Sequence, residues 1–229
     1  MNKILNHAVN IGLIEFNYCE KVGQAFRKVQ QKNNPTISPD ELPALLQKIL
    51  FSNLHFKTKM LIQWQLLTMV RPAEAVSVEW SEIDFDKKCW NIPAEKMKKT
   101  HKGQFAHVVP LSTQTLQLLD KMKLITGSSR FVFPNNNQSK FNQSMSKETA
   151  NKALNTLGYQ NILTAHGLRS IARTYLSSQG VSYEIAETCL AHAVGSSTSR
   201  VYNNYDYFKE RVSVMQLWSD YIEKCTPKI

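Results

Sequence analysis

The sequence predicts a mainly α-helical protein that carries one small antiparallel three-stranded β-sheet, an α+β class. Three observations predict it. Helical signals run through 42–50, 55–70, 111–124, 147–157, 168–178, 183–191 and 208–224. Between Ser77 and Pro110 the pattern changes to short β-prone runs around Trp80, Ile83, Phe85, Trp90, Ile92, Val108 and Val109, separated by polar turns. Tracts rich in proline and asparagine at 32–39 and 135–144 fall between these blocks and read as loops. With 229 residues and 42% hydrophobic composition, the chain can bury one sizeable core plus a small appendage, which excludes disorder on the scale of the whole chain.

Each element has a local reason. Ile4, Leu5, Ala8, Val9 and Leu13 lie at helical spacing before the polar run 15–20, so residues 1–31 read as the end of another domain. Residues 32–38 form the linker, and 39–229 the main domain with its C-terminal helix. Ser38 supplies a capping hydroxyl, Pro39 a first helical position and Glu41 a capping carboxylate, opening a helix through Leu45, Leu46, Ile49 and Leu50. The helix over 55–70 ends at Arg71, because Pro72 disfavours helical geometry in the residue before it. The second turn of the sheet, from Lys96 to Gln104, concentrates Lys96, Lys98, Lys99, Lys102 and Gly103 in a hairpin tip suited to a phosphate backbone. Phe208, Val212, Met215, Trp218 or Ser219, and Ile222 trace an apolar stripe on the last helix, for docking on its own domain or on a neighbouring protomer.

Charge and cysteine usage narrow the function classes. Lys+Arg 28 against Asp+Glu 18 gives a net +10, which suits a polyanionic partner, although solubility or a membrane surface would use the same balance. Cys19, Cys89, Cys189 and Cys225 are scattered without a Cys-x-x-Cys pair or a Cys/His cluster, so no metal site is expected and the thiols read as reduced and cytosolic. The first residues lack an apolar signal core, and no apolar stretch approaches the ~20 residues needed to span a bilayer. A soluble intracellular protein is expected.

Cleaving a phosphodiester requires a nucleophile, positive charge facing the phosphate oxygens and a proton donor for the departing alkoxide. The chain offers candidates for all three. Arginine fits the second role, since its planar fork donates parallel hydrogen bonds to phosphate and stays charged. His166 and Arg169 are three apart, so at the start of one helix they share a face. A His-x-x-Arg tetrapeptide alone is common. The weight lies in the ordered series: Arg71 in Thr68-Met-Val-Arg-Pro-Ala-Glu74, the lysine hairpin, His166-Gly-Leu-Arg169, Leu190-Ala-His192, then Tyr202.

In that series the chain resembles the tyrosine recombinases, the phage-type integrases, from about residue 38 to 224. It is most similar to the subfamily of prophages and genomic islands. The connecting segments Ser77-Val-Glu-Trp-Ser-Glu-Ile-Asp84, Trp90 to Lys98, Val108-Val-Pro-Leu-Ser112 and Met215-Gln-Leu-Trp-Ser-Asp-Tyr221 look like that subfamily's. The resemblance implies a catalytic domain of the DNA breaking-rejoining type. Arg71 and Arg169 would grip the scissile phosphate, and Tyr202 would attack phosphorus to give a 3′-phosphotyrosyl enzyme and a free 5′-hydroxyl. His166 would help remove the tyrosine proton, His192 would hydrogen-bond the phosphate, and Lys98 would protonate the leaving oxygen, with Lys96 and Lys99 as rivals. Glu74 would orient Arg71 or a neighbouring histidine, and Lys96, Lys99 and Lys102 would contact DNA. Tyr205 and Tyr207 compete with Tyr202 on position alone. The pattern departs at Met69, where the family carries glycine, and at Asn204, where it carries arginine.

The implied partners are double-stranded DNA attachment sites, a homotetramer on DNA that is a monomer free in solution, and accessory DNA-bending or directionality proteins, with no membrane. The covalent bond stores the energy, so neither ATP, a metal nor another cofactor is implied. The location is cytoplasmic and nucleoid-associated. Only residues 1–31 are available to match a core-binding domain, so the resemblance implies a catalytic fragment or a truncated gene product. A non-enzymatic DNA-binding module or decayed integrase is the alternative, and a type IB topoisomerase-like relaxase a third reading.

Overall fold

The computed structural model describes residues 2–25, 34–99, 103–192 and 206–227. The chain divides into two units, Met1–Asn33 and Asn34–Ile229. In the first, α1 (Asn2–Asn10) and α2 (Val22–Ala25) bury no residue. An Asn17 side chain donates to Asn6 Oδ1 at 2.6 Å and closes the loop between them.

The second unit is built around one helix. A single turn of tight helix, Pro39–Glu41, leads into α3 (Leu42–Phe51), and the Glu41 carboxylate accepts from the Ser38 N–H at 2.9 Å. Next, α4 (Phe56–Thr68) buries residues on every side, from Met60 and Leu61 to Trp64 and Leu67, so it lies at the centre and not on the surface. Trp64 meets Trp90 at 5.2 Å and Phe133 at 6.0 Å between ring centroids, an aromatic centre for the core. The helix stops where Met69 enters the left-handed region at φ 54, two residues before Arg71. This turn, together with Pro72, ends the helix earlier than the 55–70 periodicity suggests.

After α5 (Pro72–Val76), the strands β1 (Ile83–Asp84), β2 (Cys89–Ile92) and β3 (His107–Pro110) form an antiparallel sheet in the order β1-β2-β3. Ile83 pairs with Trp90, Trp90 with Val109, and Ile92 with His107. Trp90 and Ile92 point inward while Asn91 is exposed, the alternation of a sheet with one solvated face. Phe85, read as strand from its β propensity, sits instead in the β1–β2 turn, exposed with the Lys123 ammonium over its ring.

The remaining helices are α6 (Thr113–Thr126), α7 (Thr149–Leu154), α8 (Gly167–Ser178), α9 (Tyr183–Cys189) and α10 (Phe208–Cys225). Widened turns over Asn155–Tyr159 continue α7, with Gly158 among them at φ 87, a value open to glycine. Between α6 and α7 the polar tract is tied down by the buried Lys57 ammonium, which donates to the Pro134 and Asn135 carbonyls. The α10 stripe differs from the periodicity in one respect. Val212 is 47% exposed, and Arg211, Val214, Met215, Trp218 and Ile222 face inward against α3, α4, α6, α8, α9 and β3. Trp218 Nε1 donates to the Leu66 carbonyl at 2.6 Å, so the stripe is spent within its own domain. No helix among the described residues is long and apolar enough to cross a membrane.

Candidate active site

Arg71 and Arg169 lie far apart in sequence and converge on one turn. Arg71 Nη2 donates to the Ala191 carbonyl at 3.4 Å, and Arg169 Nη2 to the Leu190 carbonyl at 2.5 Å. That turn follows α9 and places Ala191 at φ 50, so successive carbonyls address the two guanidinium groups. His192 comes next, and its Nε2 lies 3.1 Å from Arg169 Nη2.

Local sequence sets each of these side chains. Arg71 has extended geometry as the cap of α5, and Glu74 reaches back from the first turn. The carboxylate accepts from the Arg71 backbone N–H and from Nη1, both at 2.9 Å. At the start of α8, the Thr164 hydroxyl accepts from the Gly167 N–H at 3.0 Å, and the Asn151 side chain accepts from the Ala165 N–H at 2.7 Å. The segment before α3 passes so close that a β-carbon at Gly167 would run into the Pro35 carbonyl oxygen. Glycine is therefore required between His166 and Leu168 for packing. Arg169 then projects inward at 3% exposure, whereas His166 and His192 open to solvent.

The electrostatics follow from two cations held close together. Burial and the Arg71 charge lower the Arg169 pKa to about 10, which leaves it protonated at neutral pH. Its Nη1 is sealed from solvent with no hydrogen-bond partner among the described residues. Burial, then Arg169 and Arg71, lower the His166 pKa, and the His192 and Lys98 charges add to this. Burial also lowers the His192 pKa, against the opposing pull of Glu187. Both imidazoles are thus disposed to be neutral, and His166 can accept a proton.

The hairpin lysines separate. Lys98 is exposed after the buried Met97, and its charge reaches His166. Lys99 is exposed. Lys96 departs from the expectation of a DNA contact: its ammonium bonds Glu79 at 2.8 Å, Glu82 at 2.5 Å and the Ser77 carbonyl at 2.7 Å, and so is committed to the protein body. Lys102, Tyr202 and Tyr205 lie outside the described residues. Tyr207 is described, half-buried and in the left-handed region at φ 53, as the cap of α10.

Four residues at the site escaped the sequence reading. Glu187 accepts from His192 Nδ1 at 2.7 Å, and Arg173 donates to Glu187 at 2.6 Å. Arg211 donates to the Asp206 carbonyl at 3.3 Å and to the Val108 carbonyl, joining β3 to the start of α10. His107 on β3 has its pKa lowered to about 3 by burial and by Arg211, Arg169 and Arg71. Arg173, one turn beyond Arg169 on α8, carried a usable signal. The other three are brought in by tertiary packing.

A buried arginine and a partly exposed one, flanked by two histidines on a helical body with a three-stranded sheet, make a site suited to holding an anion. Residues 35–208 match the phage integrase family, and the chain belongs to that family, the tyrosine recombinases. Over 223 residues it is 40% identical to the prophage integrase IntA of Escherichia coli (strain K12), covering 97% of this chain and 52% of that protein. The chain thus spans about half the length of the curated relatives it matches. Among solved structures, the Tn1549 transposon integrase in complex with transposon right end DNA superposes with a TM-score of 0.66 at 14% identity, over 93% of this chain and 75% of that one. A lambda integrase tetramer bound to a Holliday junction gives 0.61 at 18% identity, over 85% and 56%. At these identities the likeness is one of fold.

Proposed function

We propose that residues 39–229 are the catalytic domain of a site-specific DNA recombinase that cuts and rejoins strands through a 3′-phosphotyrosyl bond to Tyr202. The observation that carries this is the meeting of Arg71 and Arg169, with Arg169 Nη1 buried and without an acceptor among the described residues. A phosphate oxygen supplies the missing acceptor, and negative charge building on phosphorus oxygens during attack is stabilised most by donors already fixed in place. His166, disposed to be neutral, takes the proton of the attacking phenol, whose ordinary pKa of about 10 keeps it un-ionised near neutrality. The tyrosine oxygen forms its bond to phosphorus as the 5′-oxygen leaves with a proton from Lys98. Rejoining reverses these steps with a 5′-hydroxyl from another strand. No ATP or metal enters this scheme.

On this reading the partner is a duplex attachment site, contacted in part by Lys99 and Lys102, and the working assembly is a tetramer on DNA. The two solved structures of the same fold described above are DNA complexes, and one is a tetramer. Accessory bending or directionality proteins, a cytoplasmic nucleoid location, and residues 1–31 as the end of a core-binding domain joined by linker 32–38 belong to the same proposal. The test uses nicked suicide duplexes made from the DNA flanking the gene. The chain should yield a covalent protein–DNA band that Tyr202→Phe abolishes. An adduct surviving in the Phe variant would remove Tyr202 from the role, and salt-sensitive binding with no adduct on any duplex would instead identify a DNA-binding module.

A further inference from the structure

His192 is held at three points by one neighbour and one arginine. Its backbone N–H donates to the Glu187 carbonyl at 3.0 Å, and its Nδ1 lies 2.7 Å from Glu187 Oε2. On the far side of the ring, Nε2 lies 3.1 Å from Arg169 Nη2. A guanidinium can only donate, so Nε2 must accept, and a neutral ring then carries its single proton on Nδ1. One tautomer satisfies both bonds: Nδ1–H donates to Glu187 while Nε2 accepts from Arg169.

The carboxylate is itself prevented from turning. Arg173 Nε donates to the other oxygen, Oε1, at 2.6 Å, and its guanidinium carbon packs 5.3 Å over the Tyr183 ring. Arg169 and Arg173 are one turn apart on α8, so that helix supplies both the guanidinium facing the anion and the one bracing the carboxylate.

We infer that Glu187, braced by Arg173, is a positioning residue for strand cleavage: it fixes His192 with Nε2 turned toward the phosphate and sustains the imidazolium formed when the phosphate binds. This rests on the function proposed above. When phosphate oxygens take over the hydrogen bonds of Arg169, Nε2 loses its donor, gains one proton from solvent and donates it as a hydrogen bond to a non-bridging oxygen. Among the described residues, the charged and titratable groups around His192 are Arg71 at the cap of α5, His166 at the cap of α8, Arg169 on α8, and Glu187 on α9. Three of these are cationic or can become so. Without the anion, burial first and then these cations favour the neutral ring. With it, Glu187 and the phosphate together favour the charged ring. Burial raises the Glu187 pKa, but the bonds from Arg173 and His192 outweigh this, so the carboxylate stays ionised throughout.

The chain has only six histidines, so ring nitrogens labelled with nitrogen-15 can be followed individually by NMR in the whole protein. In the free chain His192 should show the Nδ1–H tautomer, and adding inorganic phosphate should raise its pKa. Glu187→Gln keeps the shape and removes the charge, and should lower the His192 pKa by about one unit with and without phosphate. An Nε2–H tautomer in the parent chain, or an unchanged pKa in the variant, overturns the inference. In adduct formation on nicked duplex, Glu187→Gln should slow cleavage roughly 10- to 100-fold, the scale found for carboxylates that orient metal-bound histidines. Duplex affinity should stay within about threefold, and the alkaline limb of the pH–rate profile should move to lower pH. Arg173→Gln should give a smaller loss, and the double variant no more than Glu187→Gln alone, since Arg173 acts through the carboxylate. Additive losses, or a wild-type pH profile in the Gln variant, count against it. If the parent chain forms no adduct, strand cleavage is the claim that fails, while the NMR comparison still decides whether Glu187 sets the state of His192.

Discussion

The bend that carries Arg71 and the helix that carries Arg169 bring like charges to one turn, yet they treat those charges differently. Arg71 is paired to the Glu74 carboxylate through both its side chain and its backbone N–H, and its side chain is 19% exposed. Among the described residues, Arg169, at 3% exposure, has only neutral acceptors, the Leu190 carbonyl and His192 Nε2, and one nitrogen with none. A buried cation bonded only to neutral acceptors costs several kcal/mol in lost hydration, a cost that a bound anion offsets. The bend therefore positions, and the helix attracts. The histidines record this difference, since His166 and His107 are both shifted toward neutrality by burial and by these guanidinium groups.

If the contrast is correct, Arg169 should matter most. Arg169→Met should slow adduct formation by about a thousandfold, the upper range for losing one donor to a developing oxyanion. The same variant should lose the stabilisation that inorganic phosphate gives the parent chain, about 2.7 kcal/mol at a hundred times its dissociation constant, read by urea unfolding. Retained phosphate stabilisation would place the anion elsewhere. In the hairpin, Lys98→Met should slow cleavage about a hundredfold, the scale of a lost general acid. A 5′-thiolate leaving group, which needs no proton, should restore the rate. Lys96→Met should leave the rate near the parent's and instead lower stability by about 1–3 kcal/mol, because its partners Glu79 and Glu82 are partly buried. Glu74→Gln tests the bend: it should cost about 2 kcal/mol of stability, and about tenfold in cleavage if Arg71 drifts from its place.

What could be read in the sequence was whatever depends on local rules. The capping residues Ser38 and Glu41, the proline after Arg71 and the β-prone runs between Ser77 and Pro110 each act within a few residues, and helix and sheet form where they indicate. Arg71 and Glu74 were legible together because they lie three positions apart on one turn. Lys96 was misread because composition counts a lysine in a hairpin as solvated, whereas Glu79 and Glu82 come to it across the fold. Glu187 was invisible for a related reason: a glutamate five residues before a histidine has no helical rule joining them. Only the turn at Ala191 folds the ring back onto the carboxylate. Val212 shows the limit of periodicity, since the buried Arg211 claims an inward position that an apolar pattern would leave out.

The field of these arginines should also appear in the stability of the whole domain. His107 Nε2 is sealed without a partner among the described residues, and burial together with Arg211, Arg169 and Arg71 holds the ring's pKa at about 3. In the unfolded chain the same ring titrates near its ordinary value of about 6.5. Because the folded value is the lower one, the unfolded state binds the proton first. This group's contribution is therefore complete above about pH 6.5 and is lost as pH falls toward 3, with a slope of up to about 1.4 kcal/mol per pH unit. His107→Leu should flatten the acid side of a urea stability profile by that one-proton slope while changing stability little at pH 8. Arg169→Met, which removes one of the charges acting on the ring, should flatten it only in part. An acid limb unchanged in both variants would mean that the guanidinium field does not reach β3, and the contrast between the bend and the helix would then stop at the Leu190–His192 turn.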